Sequence, residues 1–210
     1  MALDLEEQEQ LAELKSWWKT HGNLVIAVIV AAMLAFAGWR YWRVYQGNQT
    51  AQAAALYQAL GKAAQAGDAK ALRDAGGALA ENYAATLYAP MGALVAARFY
   101  YDRNDLKSAK AQLQWAIERS SSDDMRELAR VRLAAVLLDE KAYDEALKQL
   151  EAPHAAAYDA QYAALKGDIL AAKGQPAEAK AAYQLAIDKA GPQDGQFRES
   201  LRMRLDALGG

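Results

Sequence analysis

Twenty consecutive residues, Thr20 to Trp39, contain no Asp, Glu, Lys or Arg, and Leu24 to Trp39 (LVIAVIVAAMLAFAGW) is almost wholly apolar. As a helix rising about 1.5 Å per residue, the stretch is roughly 30 Å long, the thickness of a bilayer's hydrocarbon core. Leu24, Val25, Ile26, Val28, Ile29, Val30, Leu34 and Phe36 together favour insertion by about 4 kcal/mol on a membrane-insertion scale. Trp17 and Trp18 precede the run, and Trp39, Tyr41, Trp42 and Tyr45 close it. Lys15, Lys19, Arg40 and Arg43 stand where long cationic side chains can reach outward to the headgroups. A helix buried in a soluble core has no need of aromatic and basic girdles at both ends, so the pattern predicts a transmembrane helix. Ala35-Phe36-Ala37 has the small-x-small form of a signal cleavage site. The leader before it is acidic, however, and the apolar run continues into Gly38 and Trp39, which favours an uncleaved anchor. With two basic residues on each side, the charge count leaves its orientation open.

The rest of the chain reads as all-α. Alanine is abundant, prolines number four in 210 residues, and the Val/Ile/Thr alternation of strands is missing from long runs. Residues 1 to 43 hold four of the 24 basic and five of the 26 acidic side chains. The remaining 20 and 21 give a formal charge of about −1, a balance that argues against nucleic acid, whose phosphates call for clustered cations. There is no cysteine, hence no disulfide or thiolate metal site.

Three windows in this part align, centred on Ala109, Ala146 and Ala179 at spacings of 37 and 33 residues. Twelve residues before each centre lies a small residue (Ala97, Ala134, Gly167), and nine before lies a larger one (Tyr100, Leu137, Leu170). A turn position follows (Asn104, Lys141, Gly174), and four residues after the centre comes a bulky side chain (Leu113, Leu150, Tyr183). That order suits antiparallel helix pairs that stack on one another, and it resembles the tetratricopeptide repeat. The resemblance is degenerate: Ala93, Arg130 and Ala163 stand where the repeat's early tryptophan belongs, and Pro153 is expected to shorten the second helix of the middle repeat. A weaker fourth unit spans about Gln46 to Asn82, with its turn at Gly67-Asp68 and a Gly76-Gly77 pair inside it. Phe197, Leu201, Leu205 and Leu208 recur at helical spacing between Gly191-Pro192 and Gly209-Gly210, the pattern of a C-terminal capping helix.

The leader EEQEQLAELKSWWKTHGN, the stretches AKAQLQWAIERS, ELARVRLAAVLLDEKAYDEAL and ALKGDILAAKGQPAEAKAAYQLAI, and the closing LRMRLDAL resemble, in that order, the bacterial YfgM family of ancillary SecYEG translocon subunits. This resemblance implies a single-pass inner-membrane protein with residues 1–19 as a cytoplasmic leader, 20–43 as the anchor and its flanks, and 44–210 as a periplasmic repeat domain. It also implies association with the SecYEG translocon and with the periplasmic chaperone PpiD during protein export, with exported chains as further partners. A protein of another class, a membrane-tethered regulator whose leader binds a soluble signalling protein, is the alternative.

Sequence signatures of catalysis are missing: GxSxG, GxxxxGK[ST], HExxH and GxGxxG do not occur, so neither enzymatic activity nor a cofactor or metal is expected. His21 and His154 lack a second histidine at ligand spacing and are expected to be solvated. Asp123-Asp124, after Ser120-Ser121-Ser122, fits the first turn of a helix. Leu11, Leu14 and Trp18 share one helical face of the leader, where they suit a partner, the membrane surface or a solvated tail. The candidate partner-binding surface is the inward face of the repeats' first helices. Met91, Leu94, Arg98, Tyr101 and Asp102 are expected to share it with Leu128, Val131, Leu138 and Asp139, unless they pack against a neighbouring helix.

Overall fold

The computed structural model describes residues 5–209, with side chains from residue 9 onward. Among them every regular element is a helix: α1 (Leu5–Ala66), α2 (Ala69–Asn82), α3 (Tyr88–Tyr101), α4 (Leu106–Arg119), α5 (Asp123–Asp139), α6 (Tyr143–Leu150), α7 (Asp159–Ala172), α8 (Pro176–Lys189) and α9 (Gly195–Ala207). A single 3-10 turn, Ala156–Tyr158, leads into α7. The chain divides into two compact units, Met1–Gln49 and Thr50–Gly210.

In the first unit α1 is long and apolar enough to cross a membrane. Leu24, Ile26, Val28, Ile29, Val30, Met33, Leu34 and Phe36 of its apolar run are exposed, and Val25 is half-buried. They lie around the whole circumference of the helix, so no single protein face accounts for them. Arg43 stacks its guanidinium 4.6 Å from the centre of the Trp39 ring.

The second unit is a row of helical hairpins, each closed by one device. The chain reverses at Gly67, Asn104, Lys141 and Gly174, all left-handed with φ of 76°, 59°, 61° and 82°. At each reversal the following amide donates back to a carbonyl five residues earlier: Asp68 to Ala63, Asp105 to Tyr100, Ala142 to Leu137 and Gln175 to Leu170, at 2.9 to 3.0 Å. This Schellman arrangement satisfies carbonyls that a helix end leaves open. Three helices start on side-chain caps: Asp68 accepts from the amides of Lys70 and Ala71 at α2, Asp105 from Ser108 at α4, and Ser122, in the link between hairpins, from Met125 at α5. Asp123 and Asp124 occupy the first turn of α5, as their spacing predicts. Pro176 opens α8, where its missing N–H costs nothing. α6 spans only 8 residues and ends ahead of Pro153, the shortened helix anticipated from the sequence.

Small residues let these helices approach closely. A Cβ on Gly92 of α3 falls 2.8 Å from Leu79 Cδ1, and one on Gly167 of α7 falls 2.5 Å from the Tyr183 ring of α8. Ala109, Ala116, Ala134, Ala146, Ala179 and Ala186 are fully buried between partners. Leu60, Leu72, Leu79, Leu113, Leu133, Ile169 and Leu201 fill the spaces between, each contributing about 1.5–3 kcal/mol of burial. α3 packs on α5 and α5 on α7, so the first helices of successive hairpins form one continuous face. α9 closes the row: Leu201 is buried, and Arg204 donates to both carboxylate oxygens of Asp168 at 2.8 Å. The Gly67 turn and the Gly76-Gly77 pair inside α2 place the weaker fourth unit as a hairpin of the same kind, its first arm being the end of α1.

Candidate functional site

Where α3 lies beside α5, a cavity of about 520 Å³ opens to solvent, lined by Ala97, Arg98, Tyr101, Leu113, Arg132, Ala135, Val136 and Asp139. Ala97 and Ala135 are small enough to leave the space, and Leu113, Val136 and the alanines make its floor apolar. Its rim is polar and mostly pre-paired. Tyr101 Oη donates to Asp139 Oδ2 at 2.5 Å, joining α3 to α5. That hydrogen bond, then the charge of Asp139, holds the Tyr101 phenol above its ordinary pKa. Arg98 Nε lies 2.8 and 2.9 Å from the two carboxylate oxygens of Asp102, which keeps its guanidinium charged, and its head sits 5.9 Å from the Tyr101 ring centre. A second cavity of about 390 Å³ adjoins, sharing Arg98 and Arg132 and adding Leu94, Phe99, Asp102 and Arg103.

The residues expected on this face divide. Arg98 and Tyr101 line the first cavity with Asp139, and Asp102 lines the second. Met91 is half-buried and lines neither. Leu94 is a correction: at 5% exposure it belongs to the core cluster with Ala97, Leu113 and Leu133, although its edge reaches the second cavity. Leu128, Val131 and Leu138 are half-buried beside that cluster, as Tyr101 is, and line neither cavity. For Val131 and Leu138 the reason is helical phase. The cavity-facing residues of α5, Arg132, Ala135, Val136 and Asp139, follow i, i+3, i+4, i+7. Val131 and Leu138 each precede a member of that set by one residue, about 100° around the helix. Arg132 therefore escaped the repeat alignment, although a lone charge within VRLAAVLL was a visible signal.

Other polar groups serve the joints between hairpins. Glu127, buried at 5% exposure, is paired with Arg130 at 2.8 Å and accepts a short hydrogen bond from Tyr162 Oη on α7. His154 was expected to be solvated; instead it is half-buried, stacked on the Tyr162 ring at 3.9 Å with its Nε2 3.3 Å from Asp159. The Pro153 loop folds it onto α7, which the spacing of histidines alone cannot reveal. His21 is exposed and stacks on Trp17 one turn earlier. Leu11, Leu14 and Trp18 are exposed on α1.

Stacked hairpins with a common turn, a terminal capping helix and an open inner face define a tetratricopeptide-like helical repeat, preceded here by a helix of membrane-crossing length. A profile of the tetratricopeptide repeat-like domain matches residues 15–210. Similar proteins include the "Ancillary SecYEG translocon subunit" of Neisseria gonorrhoeae, 32% identical over 209 residues that cover 99% of this chain and 100% of the relative. The protein of that name from Haemophilus influenzae is 31% identical, covering 89% and 91% of the two chains. The one from Escherichia coli K12 is 28% identical, covering 86% and 87%. No solved structure matches at a significant level. The chain belongs to this tetratricopeptide repeat-like family of ancillary translocon subunits, the YfgM family that its leader, repeats and tail resemble.

Proposed function

We propose that the protein is a membrane-anchored, non-enzymatic scaffold of the protein-export machinery, with residues 1–19 as a cytoplasmic leader, 20–43 in the inner membrane and 44–210 in the periplasm. In this reading α1 holds the repeats beside the SecYEG translocon, and the α3–α5 face receives segments of partner proteins, either exported chains or the periplasmic chaperone PpiD. The observation that carries it is the open, apolar-floored cavity, with Tyr101 and Asp139 already fixed, in a chain whose relatives are named for the translocon. A preorganised inner face binds without first ordering its own side chains.

Photocrosslinking in intact cells tests it. A crosslinking residue in place of Ala135 is expected to capture translocon subunits, the chaperone or chains in transit, whereas one in place of exposed Glu118 on α4 is not. Equal capture from both positions would remove the inner face from the function. Deleting residues 1–18 while keeping the anchor separates the regulator alternative: the scaffold keeps its crosslinks, whereas a regulator that signals through its leader loses its activity.

A further inference from the structure

The groove's charges do not cancel, and the remainder specifies a ligand. Asp102 is occupied by Arg98, and Asp139 accepts from Tyr101. Arg103 lies 3.5 Å from the Phe99 ring centre and donates to the Phe99 carbonyl. Arg132 stands on the wall shared by the two cavities, and among the described residues no carboxylate or carbonyl accepts from it. Desolvation by neighbouring side chains, then the nearby charge of Arg98, pull its pKa below the ordinary arginine value.

We infer that the groove takes an extended peptide segment in which one carboxylate stands among apolar side chains, and that Arg132 receives that carboxylate. The inference rests on the partner-binding reading of the α3–α5 face and deepens it. Guanidinium and carboxylate match in a two-pronged hydrogen-bonded pair, stronger than neutral hydrogen bonds. The apolar floor of Ala97, Leu113, Ala135 and Val136 suits alkyl side chains flanking the carboxylate. A cavity of about 520 Å³ accepts a few side chains and not a folded domain. A phosphate group fits less well. It leaves the floor wet, and its second negative charge faces Asp102 and Asp139, which stand on the same rim.

The test uses the full chain in detergent micelles and fluorescence anisotropy at low salt. The probes are amidated nonapeptides of serine, alanine and leucine that differ in one central residue: Glu, Gln or Lys. The Glu peptide is expected to bind about tenfold more tightly than the other two, the size of one charge-assisted hydrogen bond. Arg132→Gln is expected to abolish the difference, and Arg132→Glu to transfer the preference to the Lys peptide. Arg132 is exposed, so both variants are expected to melt with the parent, which thermal scans verify. Equal binding of Glu and Gln peptides, a preference that survives Arg132→Gln, or displacement by glycerol phosphate at concentrations where acetate has no effect would overturn the carboxylate assignment while leaving the groove as a binding face. Failure of all three peptides to bind would remove the groove itself.

Discussion

Lys141 adopts a left-handed backbone that Gly67 and Gly174 adopt at the equivalent turns, and a side chain with a Cβ holds it at a cost of about 1–2 kcal/mol. Lys141→Gly relieves that strain but gives the unfolded chain more freedom, so the expected net gain is about 0.5–1 kcal/mol. Asn104 tolerates the same conformation better than lysine, and Asn104→Gly is expected to gain less. Urea melts of the two variants rank them, and a loss of stability in Lys141→Gly would show that its amide geometry does not transfer to glycine. At Gly167 the constraint is steric. A methyl group there meets two Tyr183 ring carbons at 2.5 Å, and Tyr183 is pinned by the hydrogen bond from its hydroxyl to Asp168 at 2.8 Å. The ring cannot swing away without giving up that bond, so Gly167→Ala is expected to destabilise by about 1–3 kcal/mol. Thermal melts check it; a variant as stable as the parent would mean that α7 and α8 separate at little cost.

The hairpins were legible in the sequence because their packing uses side-chain size at fixed spacing: Gly167 and Tyr183, a small and a bulky position of the alignment, meet between α7 and α8. The candidate site was legible only in part. Arg98, Tyr101 and Asp139 line the cavity, whereas a one-residue difference in helical phase sets the half-buried Val131 and Leu138 beside it and concealed Arg132. The α5–α7 joint was hidden more completely, since Glu127 and Tyr162 meet across 35 residues of sequence. This joint and the α7–α8 hairpin give the unit a pH response. Burial, and then hydrogen bonds donated to Glu127 and Asp168, raise the Tyr162 and Tyr183 phenols well above their ordinary value of 10.0. Each phenol therefore keeps its proton more tightly when folded. The stability this contributes is complete below about pH 10, and it is lost as pH rises and the unfolded chain ionises. Melting temperature is expected to fall from about pH 10 upward, and less steeply in Tyr162→Phe/Tyr183→Phe than in the parent. Parallel curves for the two proteins would show that neither phenol contributes.

For the molecule as a whole, the decisive quantity is the free energy of inserting residues 20–39. The eight strongly apolar residues contribute about −4 kcal/mol, and one lysine near the helix centre opposes this by about 2.5–3.5 kcal/mol. A single substitution, Ile29→Lys, thus leaves insertion close to balance, because it removes one favourable residue and adds one charge. Ile29→Lys/Met33→Lys adds about 5–7 kcal/mol and exceeds the whole favourable sum. Both positions are exposed on α1, at 50% and 59%, so neither lysine disturbs protein packing, and any effect reports on the surrounding medium. In cells the parent is expected to stay in the membrane pellet through carbonate extraction, the single variant to divide between pellet and supernatant, and the double variant to leave the pellet. Release of the parent, or retention of the double variant at the parent's level, would mean that these apolar side chains are covered by protein and not by lipid. Protease applied to the outer face of the inner membrane then gives orientation for the parent: with the repeats periplasmic, digestion removes residues beyond the anchor, and a protected repeat unit would place the groove in the cytoplasm, out of reach of any periplasmic partner.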